Sequence, residues 1–340
     1  MLLGMDMHHG FVVGKTDLAK QFEDAKAYGM DGVYYKSPIY LSPTLDNAEL
    51  DHCAQMAKDA GIYLDFGVGR VNPYNTNETP AIWDLTGGDY LKAMELQILA
   101  GARLGCKEFI GVTAGWKGTH KGRFVYDRFR TDVSWEDQLA ATEKFLKKLV
   151  PVLRDTKTRI NLETHEEITS KEILRLIEAV GEDVLGVAFD TANVVARSED
   201  PVAAAKRVAP YTHQMHAKDC IVYFSDRGIV RQVRPAGTGI VDFPQIFAII
   251  KEYCPDLHVQ IEDHKGLMHL DYYDPEWIRL HPEIDIAEAM KLIEYARITQ
   301  RRIDSGELED PIAYEVPPYV EQRDERLAIG IAYLSKTIIR

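Results

Sequence analysis

Short runs of apolar, β-branched and aromatic residues alternate with longer amphipathic stretches along most of this chain. LGMDM precedes DLAKQFEDAKAYG, GVYYKS precedes NAELDHCAQMAKDAG, YLDFGVG precedes GGDYLKAMELQILAGARLG, and FIGVTAG precedes EDQLAATEKFLKKLVPVL. RINLETH with SKEILRLIEAVG, LGVAFDTANV with DPVAAAKRVAP, HQMHAKDCIV with DFPQIFAIIKEYC, and HVQIEDH with DIAEAMKLIEYARITQRRI carry the beat to eight units. Parallel strands need apolar cover on both faces, and amphipathic helices supply it. Glycine closes several of the helices (AYG, DAG, RLG, AVG), and aspartate or serine opens others, which satisfies the orphan groups at helix ends. Eight such units predict an α/β fold, a (β/α)8 TIM barrel over residues 1–302, with a doubly wound open sheet as the alternative.

Two segments interrupt the beat. Residues 221–239, IVYFSDRGIVRQVRPAGTG, predict a hairpin insertion after strand 7 with DRG as its turn. Residues 265–283, KGLMHLDYYDPEWIRLHPE, predict a long aromatic-rich loop after strand 8. Both follow strand C-termini and so belong over the catalytic face of a barrel. Met268, Tyr272, Tyr273 and Trp277 make the loop too apolar to lie free in water, so it is expected to close over a substrate or be buried against another chain. Residues 303–340 form a C-terminal extension that ends in an amphipathic helix. Leu327, Ile331 and Leu334 fall at helical spacing, widened by Ile329, Ala332 and Ile338, and the extension is expected to pack on the barrel or on a neighbouring subunit. These surfaces predict an oligomer, either of this chain alone or with a different small subunit.

The formal charge of −13 on 340 residues argues against a surface built to neutralise nucleic-acid phosphates or to lie on anionic lipid, which leaves small molecules and proteins as partners. The four cysteines show no CxxC and no framework spacing, as expected in a reducing compartment. MLLGMDMHHG lacks the regions of a signal peptide, and no stretch approaches a membrane span, so a soluble cytoplasmic protein is expected.

The stretch NLETHEE, residues 161–167, closes an apolar strand with acidic residues and a histidine. The same phase recurs. Strand 5 ends at Glu163, strand 6 at Asp190, strand 7 at His216 and strand 8 at Glu262, so four consecutive strands deliver Glu, Asp, His and Glu to one end of the barrel. Three carboxylates and one imidazole make a hard, oxygen-rich ligand set that favours Mn²⁺, or else Mg²⁺ or Co²⁺. Such an ion can bind two vicinal oxygens of a sugar and stabilise the charge left when a proton beside a carbonyl is removed. A monodentate glutamate keeps an oxygen free to take that proton. His165 alternates with Glu163 and is a candidate base or substrate contact, with a supporting hydrogen bonder as the alternative. His8, with His9, follows strand 1 and faces either the pocket or the packing. Lys218 is a candidate contact to a substrate oxygen and Asp219 a candidate partner for an imidazole, with a surface ion pair as the competing reading. Lys36 ends strand 2, where a solvated rim position is expected. Trp116, His120, Trp277, Tyr272 and Tyr273 are candidates to stack on a sugar or an aglycone, or to pack at an interface. GWKGTHKGR lacks the Walker spacing and reads as a mobile lid rather than a nucleotide loop.

In their order, ETH, FDTAN, MHAKD, GTGIVDF and QIED resemble the sugar phosphate isomerases/epimerases, xylose-isomerase-like barrels that include ketohexose 3-epimerases and inosose-processing enzymes. The resemblance covers residues 2–302. It implies that Glu163, Asp190, His216 and Glu262 bind the metal and that Glu163 and Glu262 shuttle the proton. Ketohexose epimerases carry a substrate-binding histidine three residues after the aspartate and an arginine soon after the metal histidine. Here Asn193 takes the first of those places, as a candidate substrate contact, and Val222 stands near the second. The histidine two positions after the first ligand, His165, resembles the catalytic subunits of bacterial C-glycoside deglycosidases, which implies loss of the C2 proton of a 3-oxo-sugar and expulsion of the aglycone from C1. Two other readings remain open: a DNA-repair nuclease of the AP-endonuclease type, and a barrel that keeps its metal only as a staple.

Overall fold

The fold is known from a computed structural model that describes residues 1–8, 17–76, 79–115, 117 and 120–339. Eight parallel strands close into a barrel: β1 (Leu2–Asp6), β2 (Gly32–Tyr35), β3 (Tyr63–Arg70), β4 (Glu108–Val112), β5 (Arg159–Glu163), β6 (Leu185–Asp190), β7 (Thr212–Ala217) and β10 (His258–Ile261). Two further strands, β8 (Asp219–Ser225) and β9 (Gly228–Arg234), form the predicted hairpin after β7, which begins at Asp219 and turns through Asp226 and Arg227. The covering helices are α1 (Leu18–Ala27), α2 (Asn47–Ala60), α4 (Tyr90–Arg103), α5 (Trp135–Thr156), α6 (Ser170–Val180), α7 (Pro201–Val208), α8 (Phe243–Lys251) and α10 (Ile286–Asp304). Each of the eight predicted units is present, and the closed barrel excludes the open sheet.

Local chemistry sets the boundaries. Gly61 ends α2 with a φ of 63°, which an L side chain adopts only at a cost. Thr169 and Glu172 form a reciprocal capping box at the start of α6. The barrel axis is not uniformly apolar. Asn161, Gln214 and Gln260 are fully buried inside it, with Asn161 bonded to Glu108 at 2.9 Å and Gln260 to Asp65 at 2.8 Å. All four cysteines are free, and among the described residues no helix is long and apolar enough to cross a membrane.

The segment after β10 differs from the predicted loop. Leu267–Leu270 is a strand, β11, paired antiparallel with β9, so the insertion becomes a three-stranded sheet. A short helix, α9 (Pro275–Arg279), follows it. Trp277 is 1% exposed and stacks on His281 at 3.8 Å, and Met268 is buried beside Phe129 and Tyr126. Met268 and Trp277 are therefore covered by their own chain, whereas Tyr273 stays 69% exposed. The segment does not read as a strand in the sequence because the pairing partner of β11 lies far back in the chain. The short helix α3 (Pro80–Asp84) sits between β3 and α4.

The extension contains α11 (Pro311–Glu315) and α12 (Tyr319–Thr337). Leu327, Leu334 and Ile338 join the main core of the barrel, whereas Ile329 is exposed. The first half of α12 is tied beside the C-terminal end of β10, where Arg326 donates to both oxygens of Asp263 at 2.7 Å. Its other end reaches the bottom of β1, where the Met1 ammonium donates to Ile339 O at 3.3 Å. Arg326 and Asp263 are both buried, 3% and 5% exposed. Removing one partner strands the other charge, so Arg326→Met should lower the unfolding free energy by about 3–5 kcal/mol in urea melts. A loss under about 1 kcal/mol, the scale of a surface pair, would contradict this role for the clamp.

Candidate active site

Strand register brings the chemistry together. Asp190 on β6 pairs in register with His216 on β7, and His216 with Gln260 on β10, two residues before Glu262. Glu163 ends β5 beside Ala188 of β6. Thr164 fastens the two strand ends, accepting from Asp190 N at 2.8 Å and donating to Asp190 O at 3.1 Å. One ligand atom from each of Glu163, Asp190, His216 and Glu262 then lies within 4.8 Å of all the others. These four side chains are largely or fully buried.

Asp190 Oδ1 accepts from the amides of Ala192 and Asn193 at 3.0 Å, and its Oδ2 from Asn193 Nδ2 at 2.8 Å. Lys218 is buried, with Nζ 2.7 Å from Asp190 Oδ2 and 3.0 Å from Glu262 Oε2. Burial pushes the lysine down, but Asp190, Glu262 and Glu163 outweigh it and hold the ammonium above its usual range. Burial pushes Glu262 up, yet Lys218 and His216 keep it well below the usual carboxylate range. Asp190 is the carboxyl that burial lifts, to about 6.

The residues suit a hard divalent cation. Neither ring nitrogen of His216 makes a hydrogen bond, nor does Glu262 Oε2, although all three atoms are buried. Nδ1 of His216 stands 2.9 Å from that oxygen without hydrogen-bond alignment, and 3.7 Å from Glu163 Oε1. Buried atoms left unmatched on one carboxylate and one imidazole, with the carboxylates of Glu163 and Asp190 converging on the same point, are what such an ion satisfies.

A cavity of about 400 Å³ opens beside this cluster, with Glu163, Glu262, His216, His165 and His8 in its wall. His165 follows β5 and pairs through Nδ1 with Glu167, leaving the other ring nitrogen for the cavity. Burial pushes this imidazole down, but Glu167 and Glu163 hold it up at about 9, so it carries a proton at neutral pH. His8 is pushed down to about 4 by burial and by Lys36. Asn193 and Lys218 are not in the cavity wall. They stand behind the carboxylates and hold them. His120 and Tyr273 are exposed, Tyr272 is half-buried and Trp277 is buried, and none of the four lines the cavity, while Trp116 and His9 lie outside the described residues.

Asp219 neither orients an imidazole nor forms a surface pair. It is buried and accepts from the amides of Cys220, Gly237, Gly239 and Val241, which shapes the GTGIV turn. Asp6, Tyr34 and Arg70 are among the cavity residues that escaped the sequence reading. Asp6 ends β1 within GMDM, the same apolar-then-acidic signal used for the other four. Burial and Glu262 lift its carboxyl to about 6.

A match to the family described as xylose isomerase-like TIM barrel spans residues 22–294, and the chain belongs to that family. It is 27% identical over 123 residues to the uncharacterized protein YihM of Escherichia coli, covering 36% of this chain and 37% of that one. It is 25% identical over 134 residues to a 3-oxo-isoapionate decarboxylase of Pectobacterium atrosepticum, covering 38% and 47%. The chain thus spans less than half the length of either relative. The structure of the 3-keto-D-glucoside 4-epimerase YcjR of Escherichia coli shares the fold, with a TM-score of 0.57 and 16% identity over 88% of this chain and 99% of that one.

The loop after Glu163 is clamped from the hairpin. Arg231 on β9 is fully buried and pairs with Glu166, which also accepts from Tyr126 OH at 2.5 Å. Burial pushes Glu166 up, but Arg231 and the charged His165 hold it well below the usual 4.5. A carboxylate depressed on folding adds stability that is complete above 4.5 and is lost as pH falls toward the folded value. Arg231→Met should cost about 3–5 kcal/mol near neutral pH. In urea melts the gap to wild type should narrow as pH drops below 4.5. A gap that stays constant there would show that Glu166 is not the group held.

Proposed function

We propose that this protein is a divalent-metal-dependent enzyme that enolises a keto- or 3-oxo-sugar by removing the proton beside its carbonyl. The observation that carries this reading is the convergence of Glu163, Asp190, His216 and Glu262, three of which (Glu163, His216 and Glu262) line the cavity. Those four residues would hold the ion, with Mn²⁺ the first choice and Mg²⁺ or Co²⁺ suited to the same oxygen-rich set. When bound, the ion supplies Lewis-acid stabilisation of the negative charge that develops on the substrate oxygens.

The chain's own groups do the rest. Glu163 and Glu262 both face the cavity, and an oxygen of either can take the α proton and return it. His165, kept charged by Glu167, acts as a proton donor to a substrate oxygen rather than as the base. Asn193 and Lys218 position Asp190 and Glu262 and limit their mutual repulsion. Returning the proton to the other face of the carbon gives an epimerase, and returning it to the neighbouring carbon gives an isomerase. Expelling a group from the next carbon instead gives an eliminating lyase of the C-glycoside deglycosidase type. The structural neighbour and the decarboxylase relative are both named for substrates with a 3-keto or 3-oxo group, which supports the substrate class. Asn193, rather than a further histidine, stands beside Asp190 and favours this reading over a multi-metal nuclease.

Assembly with another copy or a small subunit also stands as a proposal. It now rests on Ile312, Val316 and Val320, which remain 74%, 77% and 65% exposed on the extension.

Proton exchange at the α carbon, followed by NMR in D₂O with Mn²⁺ present, tests the mechanism. A panel of ketoses, inososes and 3-oxo-glycosides should include one that exchanges, and Glu163→Gln and Glu262→Gln should each slow it by roughly 100-fold or more. Near-normal exchange in both variants would remove the enolisation mechanism.

A further inference from the structure

The wall of the cavity opposite the metal-type cluster carries two cations, Lys36 and Arg70. Lys36 directly follows β2, and Arg70 is the last residue of the adjacent strand β3. The two strand ends are close. A Cβ on Gly67 of β3 would stand 2.6 Å from Lys36 O. Arg70 reaches this wall through an irregularity, since the pairing of β3 with β4 slips between Gly67 and Gly69. Gly69 there takes a φ of 94°, open to glycine at little cost. Such a bulge breaks the strict alternation of a strand and re-aims the residue that follows.

Neither cation sits in a close ion pair. Among the described residues no carboxylate forms an ion pair with Lys36 or Arg70, although Lys36 acts at longer range on Asp6 and His8, and Arg70 on Glu167. Arg70 is fixed by one terminal nitrogen, which donates to Ala114 O at 2.5 Å, and its buried Nε has no partner. Glu163, Asp190 and Glu262, by contrast, have His216 or Lys218 close beside them. A guanidinium held in place and an ammonium from the adjacent strand end, both lining a cavity of sugar size, make a recognition site for an anionic group.

We propose that the substrate is an acidic sugar derivative, a keto- or oxo-sugar whose carboxylate or phosphate group is held by Lys36 and Arg70 while its carbonyl end lies at the Glu163–Glu262 cluster. This inference rests on the enolisation reading for the carbonyl end alone. The two cations and their anion stand on their own geometry.

The test is calorimetric titration of the metal-loaded protein with D-fructose, D-fructose 6-phosphate and 5-keto-D-gluconate, with inorganic phosphate and acetate as minimal probes. At least one anionic ligand should bind roughly 10-fold more tightly than D-fructose, and the preferred arm tells phosphate from carboxylate. Lys36→Met and Arg70→Met should each erase most of that preference and leave D-fructose binding unchanged, and Arg70→Lys should retain part of it. Lys36 is exposed, so its substitution leaves the fold intact even if Arg70→Met does not. D-fructose binding as tightly as the anions, variants that bind the anions like wild type, or no binding by any anion would each overturn the subsite. α-Proton exchange is read on the same samples. Exchange without anion preference sinks the subsite alone, and anion preference without exchange sinks the enolisation reading alone.

Discussion

Four carboxylates, those of Asp6, Glu163, Asp190 and Glu262, crowd one end of the barrel with little access to water, and the structure around them is organised by the need for positive charge. Burying an ion without a partner costs several kcal/mol even after relaxation. Lys218 answers part of this demand by reaching both Asp190 and Glu262, and His216 answers another part from the neighbouring strand. The remainder shows as buried atoms of His216 and Glu262 that bond nothing, and a divalent ion would meet it. Glu166 and Glu167, in the turn just beyond Glu163, are balanced separately by Arg231 and His165. The hairpin that bears Arg231 is thus more than an ornament on the barrel, because it fixes the loop that carries a cavity residue.

The cavity is divided by strand. β1, β5, β7 and the end of β10 bring the acids and imidazoles, whereas β2 and β3 bring Tyr34, Lys36 and Arg70, with Ile39 and Ile82 also in the lining. One wall is built to handle charge developing on a substrate, and the other to recognise what the substrate already carries. The extension supports the first wall at a distance, since Arg326 of α12 holds Asp263, the residue next to Glu262.

The eight strand–helix units and the four converging ligands could be read in the sequence because both are local signals. A strand and its following helix have their own periods, and an acid after an apolar run marks a strand end. Asp6 carries that same signal, which the histidines His8 and His9 beside it obscure. Arg70 was hidden for a physical reason, because the slip at Gly67 and Gly69 breaks the alternation that would tell which way a side chain faces. Lys218 reads in the sequence as a substrate contact or a surface ion pair because its partners, Asp190 and Glu262, are distant in sequence. β11 looked like a loop because β9, which completes its hydrogen bonding, lies beyond the reach of local patterns. Asn161, Gln214 and Gln260 give the opposite lesson: polar residues within barrel strands can serve packing along the axis and carry no chemistry.

The central claim is that Glu163, Asp190, His216 and Glu262 together hold one divalent ion. Anomalous diffraction at the manganese edge, from crystals grown with Mn²⁺, measures this directly. The account predicts a single strong peak within bonding distance of all four side chains, with Lys218 Nζ drawn away from its 2.7 Å contact with Asp190. Crystals that hold manganese elsewhere or not at all, with Lys218 still bridging Asp190 and Glu262, would contradict it.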